Sequence, residues 1–174
     1  MRVSFFAASA AALAFISTPT FAQGTAPTYS GPRIGVVVGS GGEDILEYDG
    51  VTIGIDAGYD FEFGNGTAVA GIGVEYQTDL GDDFLDVSET AILGRVGGKF
   101  VGTNALLYVS GGYTRISSGA SPFGGITEDG FRLGLGVEFP IGNSGPSLKV
   151  EQRYLNYGDG AEVFQTAAGL SFRF

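Results

Sequence analysis

From Val51 to Phe63 every second residue is apolar. Val51, Ile53, Ile55, Ala57, Tyr59, Phe61 and Phe63 alternate with Thr52, Gly54, Asp56, Gly58, Asp60 and Glu62. A period of two puts the two sets on opposite faces of an extended strand, and a helix cannot produce it. The pattern recurs in eight runs: Arg33–Gly39, Val51–Phe63, Thr67–Gln77, Val87–Val101, Ala105–Ile116, Phe131–Ile141, Ser147–Asn156 and Ala161–Phe174. The last of them carries the alternation to the final residue, Phe174, where chains usually end in polar, frayed residues. Nothing has the Ala/Leu/Glu/Lys bias of helices, and 31 glycines among many Val, Phe and Tyr fit closely packed strands.

The alternation alone fits a sandwich or a barrel; the placement of aromatics and charges separates the two. On the apolar face Phe61, Phe63, Phe100, Phe139, Phe172 and Phe174 gather at one end. Tyr76, Tyr113, Phe131, Tyr154 and Phe164 gather at the other, with aliphatic residues and glycine between them. Two aromatic girdles around an aliphatic band match the two interfaces of a bilayer. The opposite face carries Arg33, Asp56, Asp60, Glu62, Glu75, Glu89, Arg95, Lys99, Arg132, Glu138, Lys149, Glu151, Arg153 and Arg173, with equal numbers of each sign. A Lys or Arg facing lipid at the bilayer midplane costs about 2–4 kcal/mol, so the clean apolar face points to lipid outside and charge inside. The turns GNG (64–66), GTN (102–104) and GNSGP (142–146) are tight, whereas GSGGEDILEYD, TDLGDDF and SSGASPFGGITED are long and polar. These features predict an all-β fold, an eight-stranded antiparallel up-and-down transmembrane β-barrel. An even strand count puts both termini on the short-turn, periplasmic side.

Ahead of the strands, MRVSFFAASAAALAFISTPTFA reads as a signal peptide over residues 1–22, with Arg2 as a minimal basic region and cleavage after Ala22. Its apolar run, Ser4–Ile16, is shorter than the ~20 residues of a spanning helix. Residues 23–32 are expected to form a periplasmic linker and residues 33–174 the barrel domain.

The exported amino terminus, VEQRYLNYG (Glu151, Arg153, Tyr154, Gly158) and the terminal GLSFRF resemble the small eight-stranded outer-membrane β-barrels. That family includes opacity-like surface antigens and the transmembrane domain of OmpA-type proteins. The resemblance spans Arg33–Phe174 and implies a Gram-negative outer membrane. It also implies that Phe172 and Phe174 belong to a signal read by the barrel assembly machinery. The position of Gln152 is often aromatic in the family, so the outward face is more polar there. Resemblance in fold does not itself fix a function.

Several chemistries are disfavoured. The stretch IGVVVGSGGEDIL has Gly39 and Gly41 of a dinucleotide turn, but Asp44 replaces the third glycine and no helix follows, so it reads as a loop. With no His in the chain, the histidine-based hydrolysis of barrel enzymes has no base. Asp56, Asp60 and Glu62 share a face, and pairing with Arg33 is the expected role for them. The chain is therefore expected not to be an enzyme and to need no cofactor or metal. Most of the net charge of −10 falls in the long loops, in residues such as Asp44, Glu47, Asp82, Asp83, Asp86, Glu128, Asp129 and Asp159. DLGDDFLD lacks the spacing of an EF-hand and reads as a solvated acidic loop. Without a basic surface, nucleic acid is not an expected partner.

The expected partners are outer-membrane lipid and lipopolysaccharide, the assembly machinery, and an extracellular partner met through the acidic loops. Such a partner would meet Tyr48, Phe84 or Phe123, each an aromatic in a polar loop. Arg115, just beyond Tyr113, is a candidate contact for a lipopolysaccharide phosphate. Eight strands leave room inside only for side chains. The charged face should therefore plug the lumen, favouring a structural, surface-exposed barrel over a narrow porin-like channel or an apolar-lined soluble ligand carrier. If the GNSGP turn pairs residues whose numbers sum to 287, Glu138 faces Lys149 and lies near Arg173, one carboxylate between two cations.

Overall fold

Hydrogen bonding closes the eight strands into a single ring. In the computed structural model, which describes residues 28–43, 49–80, 87–100, 102–119, 126–142, 146–158 and 162–174, the strands run in chain order around a closed barrel. They are β1 (Gly31–Glu43), β2 (Asp49–Phe63), β3 (Ala68–Asp79), β4 (Val87–Lys99), β5 (Leu106–Ser118), β6 (Ile126–Pro140), β7 (Pro146–Tyr157) and β8 (Glu162–Arg173). Every neighbouring pair is antiparallel, and the seam closes with β1 on β8, Arg33 opposite Arg173 and Val38 opposite Ala168. Closure leaves no unpaired strand edge, which a β-structure needs if it is to sit in lipid. The expected signal peptide, Tyr48, Phe84, Phe123 and most of the acidic loop residues lie outside the described residues.

The strands outrun the sequence expectation at their long-loop ends. β6 begins at Ile126, five residues before Phe131, because Ile126–Gly130 keeps pairing with Thr114–Ser118 of β5. Backbone pairing beyond the apolar band needs no alternation, so the sequence carries no sign of it. At the other end the tight turns form as their residues require. Gly64, Asn65 and Gly66 all take positive φ, and the Thr67 hydroxyl closes the turn on the Gly64 carbonyl at 2.7 Å.

The faces separate cleanly. Ile72 and Ile92 point outward at 68 % and 62 % exposure, whereas Arg132 and Arg153 are each 1 % exposed inside. An aliphatic belt lies between the two aromatic girdles, and within the long-loop girdle Phe131, Tyr154 and Phe164 pack side by side across β6, β7 and β8 with centroids 6.0 and 5.2 Å apart. Gln152 does lie on the outward face. Its amide oxygen accepts from the Thr166 hydroxyl at 2.8 Å and its nitrogen donates to the Gln165 carbonyl at 3.1 Å, so the polar group is partnered within the sheet.

Candidate functional site

Among the described residues, charge and burial coincide in the lumen. Period-two alternation aims the charged member of each strand pair inward, and barrel curvature brings side chains of non-neighbouring strands together. All fourteen residues of the inward charged set take part in ion pairs.

Nearest the short-turn end, Lys99 lies 2.5 Å from Glu62. Above them Asp60, fully buried, receives Arg95 at 2.6 Å and both Arg33 and Arg173 at 3.3 Å. Glu138 sits between Arg173 at 2.5 Å and Arg95 at 2.9 Å, and also accepts from the Ser147 hydroxyl. At mid-height Asp56 bridges Arg33 at 2.6 Å and Lys149 at 2.5 Å. Toward the long loops Glu75 holds Arg132 at 2.8 Å and Arg153 at 2.9 Å, and Arg132 continues to Glu89 at 3.1 Å. Glu151 accepts from the hydroxyls of Ser110 and Tyr108 at 2.5 and 3.1 Å. Each carboxylate thus has at least one cation and many have a second donor. That degree of satisfaction is the condition under which charge can be buried at all.

Two pairings differ from the sequence expectation. The register is the expected one, with Glu138 opposite Lys149. Yet the ion pair does not form between them, because the Lys149 ammonium reaches across the lumen to Asp56 on β2. Its place beside Glu138 is taken by Arg95 of β4, and Arg173 is the second cation as expected. Likewise Arg33 pairs with Asp56 and Asp60, but Glu62 pairs with Lys99. Long side chains in a narrow barrel span the axis, so the partner across the lumen can outcompete the one alongside.

The glycine content belongs to this network. A Cβ on Gly71 would sit 2.0 Å from an Asp60 carboxylate oxygen, and one on Gly134 would sit 2.1 Å from Glu151. The inward glycines are the floor on which the crossing side chains lie. A cavity of about 20 Å³ lies among Arg33, Asp56, Glu75, Arg95, Lys149 and Glu151, which is room for about one water.

The sequence reading missed Tyr29. It falls in the expected linker, yet it is 1 % exposed and packs with Val69, Leu106 and Tyr108 inside the short-turn end. Alternation could not have revealed it, since it precedes β1; an isolated Tyr among small polar residues was the only signal. Arg115 and Phe174 lie outside the lumen. Arg115 is half exposed on the outward face and holds Asp129 at 2.7 Å, with its guanidinium 5.9 Å from the Tyr113 ring centre. A lipid phosphate would have to share that cation with a carboxylate. Phe174 is 78 % exposed, and its amide donates to the Pro32 carbonyl at 3.3 Å, tying the end of the chain to the start of β1.

The sequence model for the outer membrane protein beta-barrel domain matches residues 8–174. No curated protein matches in sequence. Solved structures do match in fold. Neisserial surface protein A (NspA) aligns at 15 % identity with a TM-score of 0.57, covering 82 % of this chain and 96 % of that one. Ail, the attachment invasion locus protein of Yersinia pestis, aligns at 15 % identity and 0.60, covering 83 % and 97 %. The N-terminal β-barrel domain of Pseudomonas aeruginosa OprF aligns at 13 % identity and 0.60, covering 82 % and 97 %.

Proposed function

The chain belongs to the outer membrane protein β-barrel family of Gram-negative outer membranes, and we propose that it serves there as a structural, surface-exposed barrel with a closed lumen. The observation that carries this reading is the ion-pair network. Charged side chains from every strand but β5 meet across the axis and fill it with ion pairs, and β5 adds the hydroxyls of Tyr108 and Ser110. A solute-conducting barrel needs a continuous aqueous path, and eight strands leave one only if the side chains stand aside. Proteoliposomes carrying the refolded protein should therefore not swell in isotonic solutions of small sugars. Rapid swelling would favour the narrow channel. One observation speaks for that second reading: guanidinium nitrogens of Arg132 and Arg153 have no protein acceptor, so the interior is more polar than its own side chains satisfy.

In this reading both termini are periplasmic and the long acidic loops face outward as the presented surface, with any partner meeting Tyr48, Phe84 or Phe123. Two of the structural relatives are named as a surface protein and an attachment protein, which is in keeping with such a role. Another structure of Ail is a complex with the heparin analogue sucrose octasulfate; the acidic loops of this chain favour a cationic or neutral partner instead. No enzymatic role is assigned, since the carboxylates that could act as acid and base are held in ion pairs and the chain has no His. Protease treatment of intact cells should cut the loops, abolish binding of any partner or antibody and leave the barrel in the membrane. Binding that survives complete shaving would place the interaction elsewhere.

A further inference from the structure

We infer that Tyr29, two residues ahead of β1, is a stopper seated in the short-turn mouth of the barrel. The contacts of this one residue run right round the ring. Its amide donates to the Glu62 carboxylate on β2. Its ring centre lies 5.3 Å from the Lys99 ammonium on β4 and 4.6 Å from the Arg173 guanidinium on β8. Its hydroxyl is 3.1 Å from the Glu138 carbonyl on β6 and 3.0 Å from the Asn104 carbonyl just before β5. Val69 of β3 and Leu106 of β5 complete an apolar seat. A side chain resting on one wall would touch one or two neighbouring strands. Tyr29 touches alternate strands around the whole circumference, which puts it on the barrel axis.

The chemistry of the seat suits a tyrosine. The face of an aromatic ring attracts cations, and two are supplied, while the hydroxyl finds carbonyl acceptors and the apolar body finds Val69 and Leu106. The stopper builds on the closed-lumen reading but is separable from it. The ion pairs fill the interior, and Tyr29 shields the mouth below them.

The absence of native cysteine makes a direct test clean. Val69 is inward and 2 % exposed beside Tyr29, so Val69→Cys reports whether the mouth is shut to a small water-soluble thiol reagent. In refolded barrel, verified by heat-modifiable electrophoretic migration, the V69C thiol should react slowly. Labelling of a shielded site proceeds through local opening, so Tyr29→Ala should accelerate it by about tenfold or more. Tyr29→Phe, which keeps the ring and its cations, should leave it slow. Equal rates in V69C and V69C/Y29A would overturn the proposal. Should the Ala variant fail to refold, hydrogen exchange on the unaltered protein decides instead: the Tyr29 amide should be protected, and exchange at the free-chain rate would overturn the stopper. The two readings fail separately. A reactive V69C in a protein that does not swell liposomes ends the stopper alone, and a shielded V69C in a protein that does swell them ends the closed lumen alone.

Discussion

Glu138→Gln is expected to destabilise the folded barrel by about 3–5 kcal/mol, the range for removing one partner from a buried charge cluster. The substitution keeps the shape of the side chain but removes the negative charge that Arg95 and Arg173 share, at 2.9 and 2.5 Å. Asp60 remains to hold both guanidiniums, and lumen water would lower the cost, so the loss should fall toward the lower end. Urea unfolding of the refolded protein in detergent measures it. The partners matter more than the total. A double-mutant cycle of Glu138→Gln with Arg173→Gln should give a coupling energy of about 0.5–3 kcal/mol, the range for residues in contact. The cycle with Lys149→Gln should give much less, because Lys149 faces Glu138 in register but bonds to Asp56. Strong coupling to Lys149 and none to Arg173 would show the cross-lumen pairing to be wrong.

Deleting Phe174, or replacing both Phe172 and Phe174 by Ala so that Arg173 keeps its inward place, is expected to lower the amount of barrel in the outer membrane far more than it lowers refolding into detergent. In the folded state these are two exposed girdle aromatics, with Phe172 at 48 % exposure, so losing them removes little packing inside the protein. Phe172 stands opposite Ile34 of β1 and Pro146 of β7, and strand pairing there is made by the backbone rather than by the aromatic ring. A large loss in cells with a small one in detergent therefore assigns the residues to recognition by the assembly machinery. Unchanged abundance in cells would show that they are girdle residues only, and an equal loss in both settings would show that they act through stability.

The outward half of this fold was legible because lipid enforces it. Outward positions in the band are apolar unless, as at Gln152 and Thr166, the polar groups are partnered within the sheet, so Val51–Phe63 and Phe131–Phe139 spelled out their faces. The inward set was legible for the same reason, since a charge excluded from lipid has only the lumen to go to. What could not be read was who pairs with whom. Adjacent-strand register follows from turn length, and Glu138 does lie opposite Lys149. Ion pairs across the axis, such as Arg95 of β4 with Glu138 of β6 or Lys149 of β7 with Asp56 of β2, depend on tilt and side-chain reach, which alternation does not encode. The glycines show the same limit. Their abundance suggested close strand packing, whereas Gly71 and Gly134 serve by leaving room for Asp60 and Glu151. Tyr29 was missed because it is an aperiodic residue whose role exists only once the ring has closed.

The most direct test of the closed lumen is single-channel recording on the refolded protein in a planar bilayer. The packed network predicts no steady conductance from the unaltered chain, and small openings at most when a cluster carboxylate such as Glu138 is neutralised. A large, steady current from the unaltered protein would contradict the closed lumen and make the barrel a pore.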